Sequence, residues 1–102
     1  MFDIKFYRDK NGFSSVKDDL DELQKRSNTD KDSRVKLKKI YEYINLLSLD
    51  GTYLGEKYVK HIEDDILELK PTSDRIFFFY WQQGTFVLIH VFQKKTQKTP
   101  KR

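Results

Sequence analysis

Residues 75–93 constrain the fold more than any other stretch of the chain. Ile76, Phe78 and Tyr80 alternate with Arg75, Phe77, Phe79 and Trp81. After Gln83-Gly84 the alternation resumes, with Val87, Ile89 and Val91 set against Phe86, Leu88, His90 and Phe92. Period-two patterning in aromatic and β-branched residues, broken by a glycine suited to positive φ, specifies a β-hairpin. If Gln83-Gly84 is a two-residue turn, Gln82 pairs with Thr85, and the register continues through Trp81 with Phe86, Phe79 with Leu88, Phe77 with His90 and Arg75 with Phe92. One face then carries Ile76, Phe78, Tyr80, Val87, Ile89 and Val91, joined by Leu67 and Leu69, and packs on helices. The other carries Arg75, Phe77, Phe79, Trp81, Phe86, Leu88, His90 and Phe92, with Glu68 and Lys70 from the preceding strand and Lys94 at the exit.

The rest of the chain supplies what that hairpin packs against. Phe2, Ile4 and Phe6 alternate with polar residues as a first strand, and Asp9 to Gly12 reads as a turn. Phe13, Val16, Leu20 and Leu23 recur at helical spacing from about Ser14 or Ser15, with Lys25 and Arg26 at the C-terminal end, where they suit the helix dipole. A polar break at Ser27 to Asp32 precedes a second amphipathic helix on Val35, Leu37, Ile40, Ile44 and Leu47, ending near Asp50-Gly51. Residues 52–63 are expected to form a loop holding Lys57, Lys60 and His61. Asp65 to Lys70 is the second strand, and Pro71 to Asp74 its turn. The expected order is βααβββ, a two-layer α+β fold with a helical hairpin on a mainly antiparallel four-stranded sheet. A chain of 102 residues is expected to be one domain, burying roughly 65% of its unfolded surface.

Charge is unevenly spread. Beyond Asp74 there are six cationic side chains and no carboxylate; five of the six lie at Lys94, Lys95, Lys98, Lys101 and Arg102. Subtracting those five from 20 Lys and Arg leaves fifteen against 16 acids, so the net +4 resides in the tail. A local positive field directs the chain to a polyanion at one edge, or serves solubility. No apolar run approaches the ~20 residues of a membrane helix, and the N-terminus has no signal-peptide pattern. The absence of cysteine excludes disulfides and thiolate zinc, and suits a reducing compartment, so a cytoplasmic, membrane-free protein is expected.

The aromatic and basic face has the composition of a surface for single-stranded RNA: rings stack on unpaired bases and cations hold phosphates. A face buried by a partner protein would carry the same aromatics. Cleavage of RNA through its own 2'-hydroxyl requires charge stabilisation at phosphorus and two proton transfers, with no cofactor or metal. Arg75 suits the non-bridging oxygens through its planar fork, Lys94 or Lys95 adds charge, and His90 and Glu68 are the candidate acid–base groups. Each also has a plainer role: Arg75 pairing with Glu68 or Asp74, His90 packing in its strand, His61 merely exposed. Two separated histidines make a poor zinc site, and the run Glu63-Asp64-Asp65 reads as solvated.

Several segments together resemble the phage-derived HigB-like toxins of the RelE/ParE superfamily. They are Leu67-Glu68-Leu69-Lys70, Asp74-Arg75-Ile76, Val87 to Phe92, and Lys94-Lys95-Thr96-Gln97-Lys98-Thr99-Pro100, with Phe6 to Lys10 and Val59 to Ile62. The resemblance implies a RelE-like domain and a type II toxin that cuts mRNA in the A site of the 70S ribosome. It also implies neutralisation by a HigA-like helix-turn-helix antitoxin, in a possible toxin–antitoxin heterotetramer. By the same resemblance Arg75 is the arginine at the scissile phosphate, and Lys95 or Lys94 is the basic group after the last strand. Lys60 and His61 match the family's basic element before the second strand, and with Lys70, Phe77 and Phe92 of the aromatic face and Lys98 of the tail they are the expected RNA contacts. The chain departs from RelE itself in carrying Ile66 and Glu68 where RelE has lysines, and in lacking a tyrosine after the basic tail. Relatives continue past the Thr-Pro into a helix, which is expected to be absent or truncated here. A ParE-like action on gyrase and a non-catalytic RNA- or ribosome-binding module are the alternatives.

Overall fold

A computed structural model describes residues 1–93. Each helix begins where a side chain replaces the missing helical acceptor. The Ser14 hydroxyl accepts from Lys17 N at 3.1 Å and opens α1 (Ser15–Ser27), and the Asp30 carboxylate accepts from Asp32 N and opens α2 (Lys31–Asp50). Gly51 closes α2 at φ +61°, where a Cβ would stand 2.8 Å from the Phe2 ring. A 3₁₀ turn, Gly51–Leu54, follows.

Five strands form the second layer: β1 (Asp3–Phe6), β2 (Val59–Glu63), β3 (Ile66–Leu69), β4 (Asp74–Tyr80) and β5 (Thr85–Gln93). They lie in the order β1-β5-β4-β3-β2, antiparallel except where β1 runs parallel to β5. The two-layer α+β class matches the sequence expectation. The strand count does not, because part of the expected loop at 52–63 pairs with β3 as an edge strand. Only Val59 of β2 is buried, so its sequence shows no alternation to mark it. Its exposed Lys60, His61 and Glu63 place charge and bulk along an edge that would otherwise invite another strand.

The hairpin register is as expected at both ends and displaced by one residue in between. Gln83 and Gly84 both take positive φ, at 52° and 72°, and Thr85 N bonds Gln82 O. Trp81 N also reaches Thr85 O, so two residues of one strand oppose one of the other. Phe79 consequently pairs with Val87 and Tyr80 with Phe86. Ile89 is then passed over, and Phe77 with His90 and Arg75 with Phe92 recover the expected pairing. Two bulges on opposite strands cancel. Between them the faces of β5 are exchanged: Phe86 and Leu88, expected on the outer face, are 2% and 0% exposed in the core.

That core joins Val16, Leu20 and Leu23 of α1 with Leu37, Ile40, Tyr43 and Leu47 of α2 over Leu69, Ile76, Phe78, Phe86 and Leu88. Phe2, Ile4 and Phe6 pack against it from the β1 side. Phe13 and Val35, counted in the helical stripes by spacing, are half exposed. Phe13 precedes the α1 cap, and Tyr43 is buried on α2 while Val35 is not.

Candidate nucleic-acid interface

The sheet face turned away from the helices has no covering element among the described residues. One row crosses four strands as Lys60, Glu68, Phe77 and His90, each paired with the next. Arg75 and Phe92 form the neighbouring pair, with Lys70 at the exit of β3, its amide bonded to Tyr58 O. Lys60 and His61, expected in a loop, thus sit on strand β2.

Aromatic contacts fix the His90 end. The Phe77 and Phe92 rings stand 5.0 Å apart at 56°, and His90 stacks on Phe92 at 6.2 Å and 17°. His90 is exposed and Phe77 and Phe92 are half-buried, so π-faces are offered to solvent beside a titratable ring.

Arg75 is held more tightly than its exposed neighbours. The β3–β4 turn is built by Thr72, whose hydroxyl donates to the Asp74 carboxylate at 3.2 Å and accepts from the Asp74 amide at 3.3 Å. Arg75 Nη1 donates to the carbonyls of Thr72 and Asp74. Its Nε lies 3.9 Å from Glu68 Oε1, with both side chains 12% exposed. That separation gives an ion pair without a hydrogen bond, and Nε is buried with no hydrogen-bond partner among the described residues.

A shallow cleft at the β2 edge is lined by Glu56, Lys60, His61 and Lys70. Pairing with Leu67 gives His61 the alternate position to Lys60, and its Nε2 donates to the Asp64 carbonyl in the turn. Lys94, Lys95 and Lys98 lie outside the described residues.

Sequence reasoning passed over Asp19. On α1 it lines a groove with Arg26, Lys36, Asp74, Val91 and Phe92. Loss of hydration raises its carboxyl pKa above the ordinary 3.8; His90 nearby opposes the rise, while Asp18 and Asp74 add to it. In the sequence Asp19 is one of four acids on an apparently solvated helix face, and only the approach of β5 to α1 distinguishes it.

Two helices on a five-stranded, mostly antiparallel sheet make the chain a small two-layer α+β protein, with aromatic and ionic side chains on its outer face. Residues 18–102 match the family described as Phage derived protein Gp49-like (DUF891), and the chain belongs to that family. No curated relative matches it.

Proposed function

We propose that the chain is the toxin of a type II toxin–antitoxin pair, a metal-independent endoribonuclease acting on mRNA in the A site of the 70S ribosome and silenced by a HigA-like antitoxin. The observation that carries this reading is the juxtaposition, on a sheet face with no covering element among the described residues, of Arg75 with the stacked rings of Phe77, Phe92 and His90. Membership of the Gp49-like family supports it.

In this reading the 2'-oxygen of the substrate attacks the adjacent phosphorus and the 5'-oxygen departs, leaving a cyclic phosphate. Arg75 offsets the charge that develops on the phosphorane, assisted by Lys94 or Lys95. His90 and Glu68 are the groups for removing the 2'-OH proton and protonating the 5'-oxygen. Phe77 and Phe92 stack on bases, and Lys60, His61, Lys70 and Lys98 hold the strand.

Induced expression should arrest growth and cut message on programmed ribosomes. Arg75→Ala, checked for folding by circular dichroism, should lower cleavage roughly 100-fold or more. Intact message with the wild-type protein would refute cleavage and leave a non-catalytic ribosome-binding module. The anchoring of Nη1 on two backbone carbonyls, a structural use of the same guanidinium, is the observation that favours this second reading.

A further inference from the structure

Glu68 stands beside Nε, the edge of the Arg75 guanidinium that has no hydrogen-bond partner among the described residues. Nη1 is committed to Thr72 and Asp74, while Nε has a carboxylate oxygen 3.9 Å away and no hydrogen-bond partner among the described residues. The carboxylate therefore balances the guanidinium charge without satisfying its N–H. A phosphate oxygen in hydrogen-bond range would do both, but must first displace or endure a like charge.

We propose that Glu68 is a specificity-determining residue, an internal carboxylate that closes the Arg75 site to small free anions and gives way to a nucleic-acid strand held at several points. This rests on the reading of Arg75 as a phosphate clamp. A free phosphate has little beyond Arg75 with which to offset the repulsion of Glu68. A strand adds stacking on Phe77, Phe92 and His90, and a contact to Lys70.

The register also provides the displaced carboxylate with somewhere to go. Lys60 is the direct cross-strand partner of Glu68 on β2, and cross-strand neighbours on one face lie within side-chain reach. Glu68 can thus exchange Arg75 for Lys60 by a change of rotamer, without leaving the sheet face. The aromatic and ionic halves of the site are thereby linked: stacking brings the strand in, and the strand's phosphate moves Glu68.

The test uses the full chain and two probes, inorganic phosphate followed by NMR titration and a 2'-deoxy oligonucleotide followed by fluorescence anisotropy. Wild type should bind the oligonucleotide and not millimolar phosphate. Glu68→Gln should gain phosphate affinity on the order of tenfold or more, with a smaller gain for the oligonucleotide. Glu68→Thr, whose β-branched side chain suits a strand, should behave alike and covers the case in which Gln folds poorly. Unchanged phosphate binding in a folded variant overturns the selectivity role. Arg75→Ala separates the two ideas: loss of oligonucleotide affinity there, with Glu68→Gln inert, sinks only the role of Glu68. Undiminished affinity in Arg75→Ala sinks the clamp itself.

Discussion

Replacing Phe86 by alanine tests the paired bulges. In an uninterrupted hairpin Phe86 opposes Trp81 on the outer face, and its truncation would cost little. In the structure it is 2% exposed, with ring centroids 5.0 Å from Phe2, 5.5 Å from Phe78 and 5.5 Å from Tyr80. Truncation of such a ring removes its transfer free energy and leaves a cavity, together about 3–5 kcal/mol. The three aromatic neighbours put the expected value at about 4 kcal/mol within that range. Domains of this size hold only about 5–15 kcal/mol in all, so Phe86→Ala should be folded but fragile, with a Tm lowered by roughly 16–32 °C. Trp81→Ala is the matched control, since Trp81 is 53% exposed and its loss should cost about 1 kcal/mol or less. Urea unfolding of both variants, followed by circular dichroism and compared at equal m-value, reads the difference directly. A cost below about 1 kcal/mol for Phe86→Ala, or a larger one for Trp81→Ala, would show that the hairpin runs without bulges and that the face assignments in its middle are wrong.

Other substitutions probe the helix ends and the pH response. Ser14→Ala removes the cap acceptor of α1 and should cost about 1 kcal/mol by chemical denaturation. Gly51→Ala forces a Cβ into positive φ and against Phe2, for roughly 1–3 kcal/mol. A thermal melt of the purified variant checks this, and an unchanged Tm would contradict the close approach. The carboxyl pKa of Asp30 is lowered from 3.8, chiefly by the Ser33 hydroxyl and then by the amide of Asp32. Its contribution is therefore present above pH 3.8 and lost as pH falls through the depressed folded value. Asp19 has the opposite sign: raised above 3.8 by desolvation, its contribution is full below 3.8 and lost as pH rises through the folded value. Tm–pH profiles should show Asp30→Asn harming the neutral range and Asp19→Asn improving it, both differences fading in acid.

Local signals were legible in the sequence where one residue does a local job. Ser14 and Gly51 mark helix ends because capping and positive φ need particular side chains, and Gln83-Gly84 marks the hairpin turn for the same reason, whereas Asp30, the cap of α2, was read only as part of a polar break. Long-range compensation was not legible. The bulge near Trp81 and the one at Ile89 each shift the alternation, but together they preserve the end pairings, and no residue type signals either. The edge strand β2 escaped for a different reason, since a strand that buries only Val59 lacks the pattern by which strands are recognised. For the candidate site, Arg75, Phe77, His90, Phe92 and Glu68 share the face expected for them because they lie on the side of the bulges where the register recovers. Phe86 and Leu88, between the bulges, do not. The ion pair of Arg75 with Glu68 was among the readings of the pattern, whereas the anchoring of Nη1 on two carbonyls depends on turn geometry that side-chain spacing does not encode.

The parallel pairing of β1 with β5 governs when the protein can become complete. Asp3 sits opposite Thr85 and Phe6 opposite Leu88, so β1 waits until β5 has been made before it has a neighbour in the sheet. Contacts this distant in sequence slow folding, because a long loop must close before any pairing is gained. Until then Phe2, Ile4 and Phe6 have no β5 to lie beside, and the pairs Arg75–Phe92 and Phe77–His90 do not exist. The chain order itself delays assembly of the proposed nuclease face until β5 has been made.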